Sequence, residues 1–130
     1  MNNVKIEIQH LTLAYGAQMV MRDINARVRH GSICAIMGGS GSGKSTLLRT
    51  MIGLQRPAQG DVLYDGQSFW GLDDEARQVQ VRKFGVSFQS GALWSSMTLG
   101  ENVELPLVEY TDWPAADRQE HDLRAFIALR

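Results

Sequence analysis

Hydrophobic and polar positions alternate strictly in the first third of the chain. VKIEIQ, LTLAY and INARVRHG each place apolar residues at every second position, the period of a strand with one buried face. SICAIM, residues 32–37, is instead a continuous apolar and small run, the pattern of a strand buried on both faces. The period then changes. STLLRTMIGL carries apolar residues at helical spacing and is predicted to end at Gly53, and GDVLYDG reads as a short strand closed by an Asp65–Gly66 turn. DDEARQVQVRK predicts a short polar helix, FGVSFQ a second buried strand, and SGALWSSM a loop carrying an exposed tryptophan. Thr98 and Glu101 stand at capping-box spacing at the head of TLGENVEL, so a helix starts there, and Pro106 limits or kinks it. A last helix is expected near Pro114, with Asp112 as a candidate cap, and its apolar face runs through Leu123, Phe126 and Ile127 without a terminating signal. The expectation is an α/β domain with a mixed or parallel core sheet and a β-rich flank, and a chain that is a piece of something longer.

Composition removes several classes of function. An apolar fraction of 44% and a net charge of -1 over 130 residues argue against disorder and against a strongly basic nucleic-acid binder. No apolar run reaches the roughly 20 residues that cross a bilayer, and the first ten residues lack a hydrophobic signal core. The single cysteine, Cys34, has no partner for an internal disulfide and reads as a small residue of the SICAIM strand.

The candidate chemistry lies between that strand and the helix after it, in IMGGSGSGKST. Gly38, four residues, then Gly43, Lys44 and Ser45 satisfy the phosphate-binding P-loop pattern in full. Glycines at 38, 39, 41 and 43, with Ser40 and Ser42 between them, let backbone N–H groups converge on phosphate oxygens. The N-terminal end of the following helix adds its partial positive charge. Lys44 supplies a compact cation for the β- and γ-phosphates, Ser45 a hydroxyl for Mg²⁺, and Thr46 a second hydroxyl directed at the α-phosphate. A flexible linker would need neither the lysine and serine at these offsets nor a strand before and a helix after. The histidines add no candidate site: His10 and His30 precede the motif, and His121 falls on the polar side of the last helix.

From LTLAYGAQMV through LRTMIGLQRPAQGDVLYDGQ the chain resembles the N-terminal half of an ABC-transporter ATPase subunit. The resemblance implies a P-loop NTPase core with an N-terminal antiparallel β flank. Residues 1–130 would then be the first part of one ATP-binding domain, ending at the start of its helical region. It also implies that Tyr15 stacks on adenine, with Val20 as the adjacent apolar contact. Gln89, at the end of FGVSFQ, matches the family's glutamine that ligates Mg²⁺ and orients the attacking water, beside Lys44 as the second catalytic residue. The segment from Gln89 to Met97 corresponds to the part that docks a membrane permease, with Leu93, Trp94 and Met97 as candidate contacts. QSGALWSSMTLGENVELPL is most similar to the ATPase of Mla-type (Mce-associated) phospholipid-transport systems, from which it departs at Ser87 and Trp94.

What the resemblance implies for the full-length protein is a peripheral subunit on the cytoplasmic face of the bacterial inner membrane. It would pair with a second ATPase subunit and couple ATP hydrolysis to transport. An ATPase for another solute and a non-transport soluble ABC ATPase are the alternatives. The family's signature motif, its Walker B strand ending in Asp-Glu and its switch histidine have no counterpart here. LDDE, residues 72–75, opens a polar helix instead. The chain by itself is therefore expected to bind ATP weakly and to hydrolyse it poorly or not at all.

Overall fold

The computed structural model describes residues 3–87 and 93–118, which fall in two compact units, Met1–Gly85 and Val86–Arg130. In the first unit the alternating runs VKIEIQ and LTLAY are one strand, β1 (Val4–Tyr15). It pairs antiparallel with β2 (Gln18–Arg29), and the hairpin closes between Tyr15 and Gln18. The phase break between the two runs is a β-bulge. Ile8 pairs with Ala26 and Leu11 with Ile24, so β1 spends one residue more than its partner there. That extra residue returns Leu11 and Leu13 to the face already occupied by Ile8, and all three are buried. His10 stands in the bulge at a φ of 48°, with its ring paired to Asp23 of β2 at 2.7 Å.

On its other side β1 pairs with β3 (Gln59–Tyr64), which turns at Asp65–Gly66 into the short β4 (Gln67–Ser68); the sheet order is β2-β1-β3-β4. Gly60 sits where β3 crosses the bulge. Its φ is 80°, and a Cβ there would lie 2.3 Å from the His10 carbonyl oxygen, so a side chain would push the strands apart. Helix α1 (Lys44–Met51) packs on one face of the sheet through Leu47 and Met51. It ends as expected at Gly53, with Leu54 N–H donating to the Arg49 carbonyl at 2.8 Å and Gly53 N–H to that of Thr50 at 3.4 Å, a Schellman pair. The core is completed by Val62, Tyr64, Phe69 and Trp70, with Phe84 and Val81 of α2 (Asp74–Val81) against it. Tyr64 ties sheet to helix, because its hydroxyl donates to the Met51 carbonyl at 2.6 Å.

Two expectations are corrected here. Residues 32–39 form no strand, and Ile33, Ile36 and Met37 are exposed rather than buried on two faces. A strand exists only through its ladder, and no described segment pairs with this one. Residues 84–87 likewise join no ladder among the described residues, and Val86 is exposed, so the one sheet described is antiparallel throughout rather than mixed or parallel. Cys34, expected inside a strand, is exposed with the rest of its segment.

The second unit holds α3 (Leu99–Tyr110). The capping box is formed: Glu101 N–H donates to the Thr98 hydroxyl at 3.3 Å and Thr98 N–H to the Glu101 carboxylate at 2.7 Å. Pro106 does not end the helix, which continues one further turn. A helical turn at 115–118 follows Pro114 and is joined to α3 by Arg118, which donates to Glu104 at 2.7 Å. The apolar face expected at Leu123, Phe126 and Ile127 and the surface histidine at 121 lie outside the described residues, as does Gln89.

Candidate functional site: a phosphate cradle beside an aromatic wall

The chain leaves residue 39 into a turn at 40–41 and enters α1 at Lys44, so the glycine-rich stretch is wrapped over a helix N-terminus. No side chain caps that end. The N–H groups of the first helical turn have no intrahelical acceptor, and at this end no side-chain oxygen replaces one. Gly43, at the N-cap position, holds a φ of 92°. A Cβ on it would meet Val20 and Met21 at 2.8 Å each, so β2 presses directly against the cradle. Gly43 is thus required twice, by its backbone angle and by its neighbours.

Lys44 curls back over the loop. Its ammonium donates to the Gly38 carbonyl at 2.7 Å, the Gly39 carbonyl at 2.7 Å and the Ser42 hydroxyl at 3.3 Å. Three donors thus have three acceptors, and the loop is closed into a ring by its own lysine. Ser45 is exposed at the mouth and Thr46 is buried.

Tyr15, Val20, Gly41, Ser42, Gly43, Lys44, Ser45 and Thr46 line one cleft of about 250 Å³. Of the residues singled out in the sequence, Gly38 and Gly39 reach this cleft only through their carbonyls on Lys44, and Ser40 lies on the exposed turn. Tyr15 forms the wall opposite the loop, half exposed, at the end of β1. Its phenol receives an N–H from Arg49 at 3.4 Å. The Thr46 hydroxyl beside it, and that guanidinium, hold it below the usual tyrosine pKa. Arg49 and Met21 were not foreseen from the sequence. Arg49 follows Thr46 by three residues, the spacing that puts two side chains on one helix face, and that was the available signal. Larger clefts of about 410 and 580 Å³ lie elsewhere in the unit, against α2 and against the β1 bulge, and neither lies against the glycine-rich loop.

In the second unit, Leu93, Trp94 and Met97 are exposed. Asn102 holds their loop: its side-chain oxygen accepts from Trp94 N–H at 2.7 Å, and its amide donates to the carbonyls of Trp94, Met97 and Thr98 at 3.1, 3.3 and 2.8 Å.

A family model described as "ABC transporter" matches residues 21–129. An intermembrane phospholipid transport system ATP-binding protein of Haemophilus influenzae is 39% identical over 114 residues, which are 88% of this chain and 43% of that protein. A probable ribonucleotide transport ATP-binding protein of Mycobacterium leprae is 38% identical over 110 residues, 83% of this chain and 31% of that one. Among solved structures, a dimeric ATP-binding cassette in a post-hydrolysis state with ADP and Pi superposes with a TM-score of 0.80 at 32% identity. That match covers 92% of this chain and 54% of the cassette. The chain thus spans less than half the length of these two relatives.

Proposed function

This chain belongs to the ABC transporter family, and from that premise we infer that its cleft binds ATP with Mg²⁺. The full-length protein would then couple ATP hydrolysis to lipid transport. The observation that carries this reading is the joining, in one cleft, of a glycine loop with uncapped N–H groups and an aromatic wall at Tyr15. A molecule with phosphates at one end and a flat π-face at the other would engage both.

In that role the backbone N–H groups of Gly41, Ser42, Gly43 and Lys44 take the phosphate oxygens. Lys44 exchanges a carbonyl for a phosphate and brings one positive charge to the β- and γ-positions. Tyr15 stacks on the adenine, with Val20 beside it. Thr46 serves the α-phosphate through its hydroxyl. Ser45 suits Mg²⁺, since it offers a single hard oxygen at the mouth of the cleft. Among the described residues no cluster of three acidic, histidine or cysteine groups would favour an ion caged by protein alone. When bound, that ion draws off phosphate negative charge. Gln89, outside the described residues, is assigned the second metal contact and the orientation of water.

The exposed Leu93, Trp94 and Met97, in the segment from Gln89 to Met97, would receive the permease. A second ATPase subunit and a peripheral place on the cytoplasmic face of the bacterial inner membrane complete the reading. The likeness to the Haemophilus influenzae protein supports a phospholipid cargo, and that to the Mycobacterium leprae protein supports the alternative of another solute.

The test is equilibrium binding of ATP, with Mg²⁺, to residues 1–130 and to the Lys44→Ala variant. The native chain is expected to bind ATP and to show no turnover above buffer. Lys44→Ala should weaken binding at least about tenfold, because a charge-assisted contact to phosphate is worth roughly 1.5–3 kcal/mol. Equal affinity of the two proteins would reject the cleft as the site.

A further inference from the structure

The cradle and the aromatic wall belong to different elements, yet both are held by α1. Tyr15 ends β1 with half its surface in water. A ring so placed has its χ angles free, and fixing them on binding a base costs rotamer entropy. The phenol oxygen is already tied, however. Arg49 donates to it at 3.4 Å from the last turn of α1, and Thr46, buried on the same helix, lines the cleft beside it. Arg49 is itself anchored, because its carbonyl accepts the Leu54 N–H that terminates α1. The helix that presents its N-terminus to phosphate therefore also sets where the ring stands.

We propose that Arg49, with Thr46, is a positioning residue that holds the Tyr15 ring ready for a nucleobase, so that the site discriminates a nucleotide from a bare polyphosphate. This rests on the ATP reading above. It requires that Arg49 act on the base end alone, since its guanidinium reaches the phenol and not the loop that takes the phosphates.

Calorimetric titration of residues 1–130 with ATP and, separately, with inorganic tripolyphosphate tests the proposal. The native chain is expected to bind ATP more tightly than tripolyphosphate. Arg49→Gln should weaken ATP by about 3–10-fold, the range for losing one hydrogen bond that fixes a group, and leave tripolyphosphate unchanged. Tyr15→Phe keeps the ring and should show the same selective loss. The double variant should lose no more than either single one, and Arg49→Lys should restore part of the preference. Equal weakening of both ligands by Arg49→Gln would make Arg49 a support of the helix only, and unchanged ATP affinity would remove its role; each overturns the proposal while leaving ATP binding intact. A native chain that binds ATP no better than tripolyphosphate overturns it by a different route, by removing the base-stacking reading on which it stands.

Discussion

Lys44 shows how one side chain can be both scaffold and ligand. With its three N–H donors spent on Gly38, Gly39 and Ser42, the ammonium braces a loop that otherwise has little to hold it. Phosphate entry is then an exchange of acceptors, not the capture of an idle cation, which keeps the empty loop near its binding shape. Tyr64 is a second residue of this kind, in the core. Its hydroxyl is buried against α1 and donates to the Met51 carbonyl, and burial pushes its pKa up to about 12 from 10.0. The raised value means that the unfolded chain loses the proton first. The contribution to stability is full below pH 10 and is lost as the pH rises through 12. In an ultraviolet titration, Tyr64 should ionise well after Tyr15. Tyr64→Phe should cost about 0.5–1.5 kcal/mol at neutral pH and flatten the alkaline fall in stability between pH 10 and 12. A Tyr64 that titrates with Tyr15 would contradict its place against α1.

At the scale of elements, local chemistry was legible wherever an element satisfies itself. The capping box at Thr98, the Asp65–Gly66 turn and the stop at Gly53 each close hydrogen bonds within a few residues, and all three appear as the sequence predicts. The P-loop was readable for the same reason, since its spacing encodes a local backbone path. SICAIM was misread as a formed strand because its periodicity reports what the segment would bury, and the ladder that would bury it needs a distant partner. The bulge at His10 stood in the sequence as a break in phase and was taken for a break between strands. Arg49 escaped because a long exposed arginine can reach many places, and sequence does not say which.

Asn102 holds the loop before α3 in the same local way. Its one side chain satisfies three backbone groups of the exposed Leu93–Met97 stretch and the Thr98 carbonyl beyond it. Asn102→Ala should therefore leave the Thr98-capped helix in place and free the loop, read as faster hydrogen exchange at the Trp94 N–H. Unchanged exchange at Trp94 would show that the loop is held by something else.

At the scale of the whole molecule, the first unit carries a sheet and helix packed on one another, and a stretch at 32–37 that joins no ladder among the described residues. Ile33 and Met37 lie there almost wholly in water, with Ile36 half covered, and fully burying a side chain of this size is worth about 1.5–3 kcal/mol. The segment also offers backbone N–H and C=O groups without a ladder, so it combines apolar side chains with an open edge. Both features favour pairing with any second strand, including the same segment of another molecule. Their position just before Gly38 links this exposure to the site: what covers the segment also fixes the entry to the phosphate loop. Residues 1–130 in dilute buffer are accordingly expected to self-associate, with an apparent mass by light scattering that grows with concentration. Replacing both Ile33 and Met37 by lysine should lower that mass toward the 14.5 kDa of one chain without removing ATP binding, because neither side chain lines the cleft. A native chain that stays monomeric and melts in one cooperative step would mean that residues 32–39 are covered from within. Their exposure would then fail as the explanation of how this chain behaves.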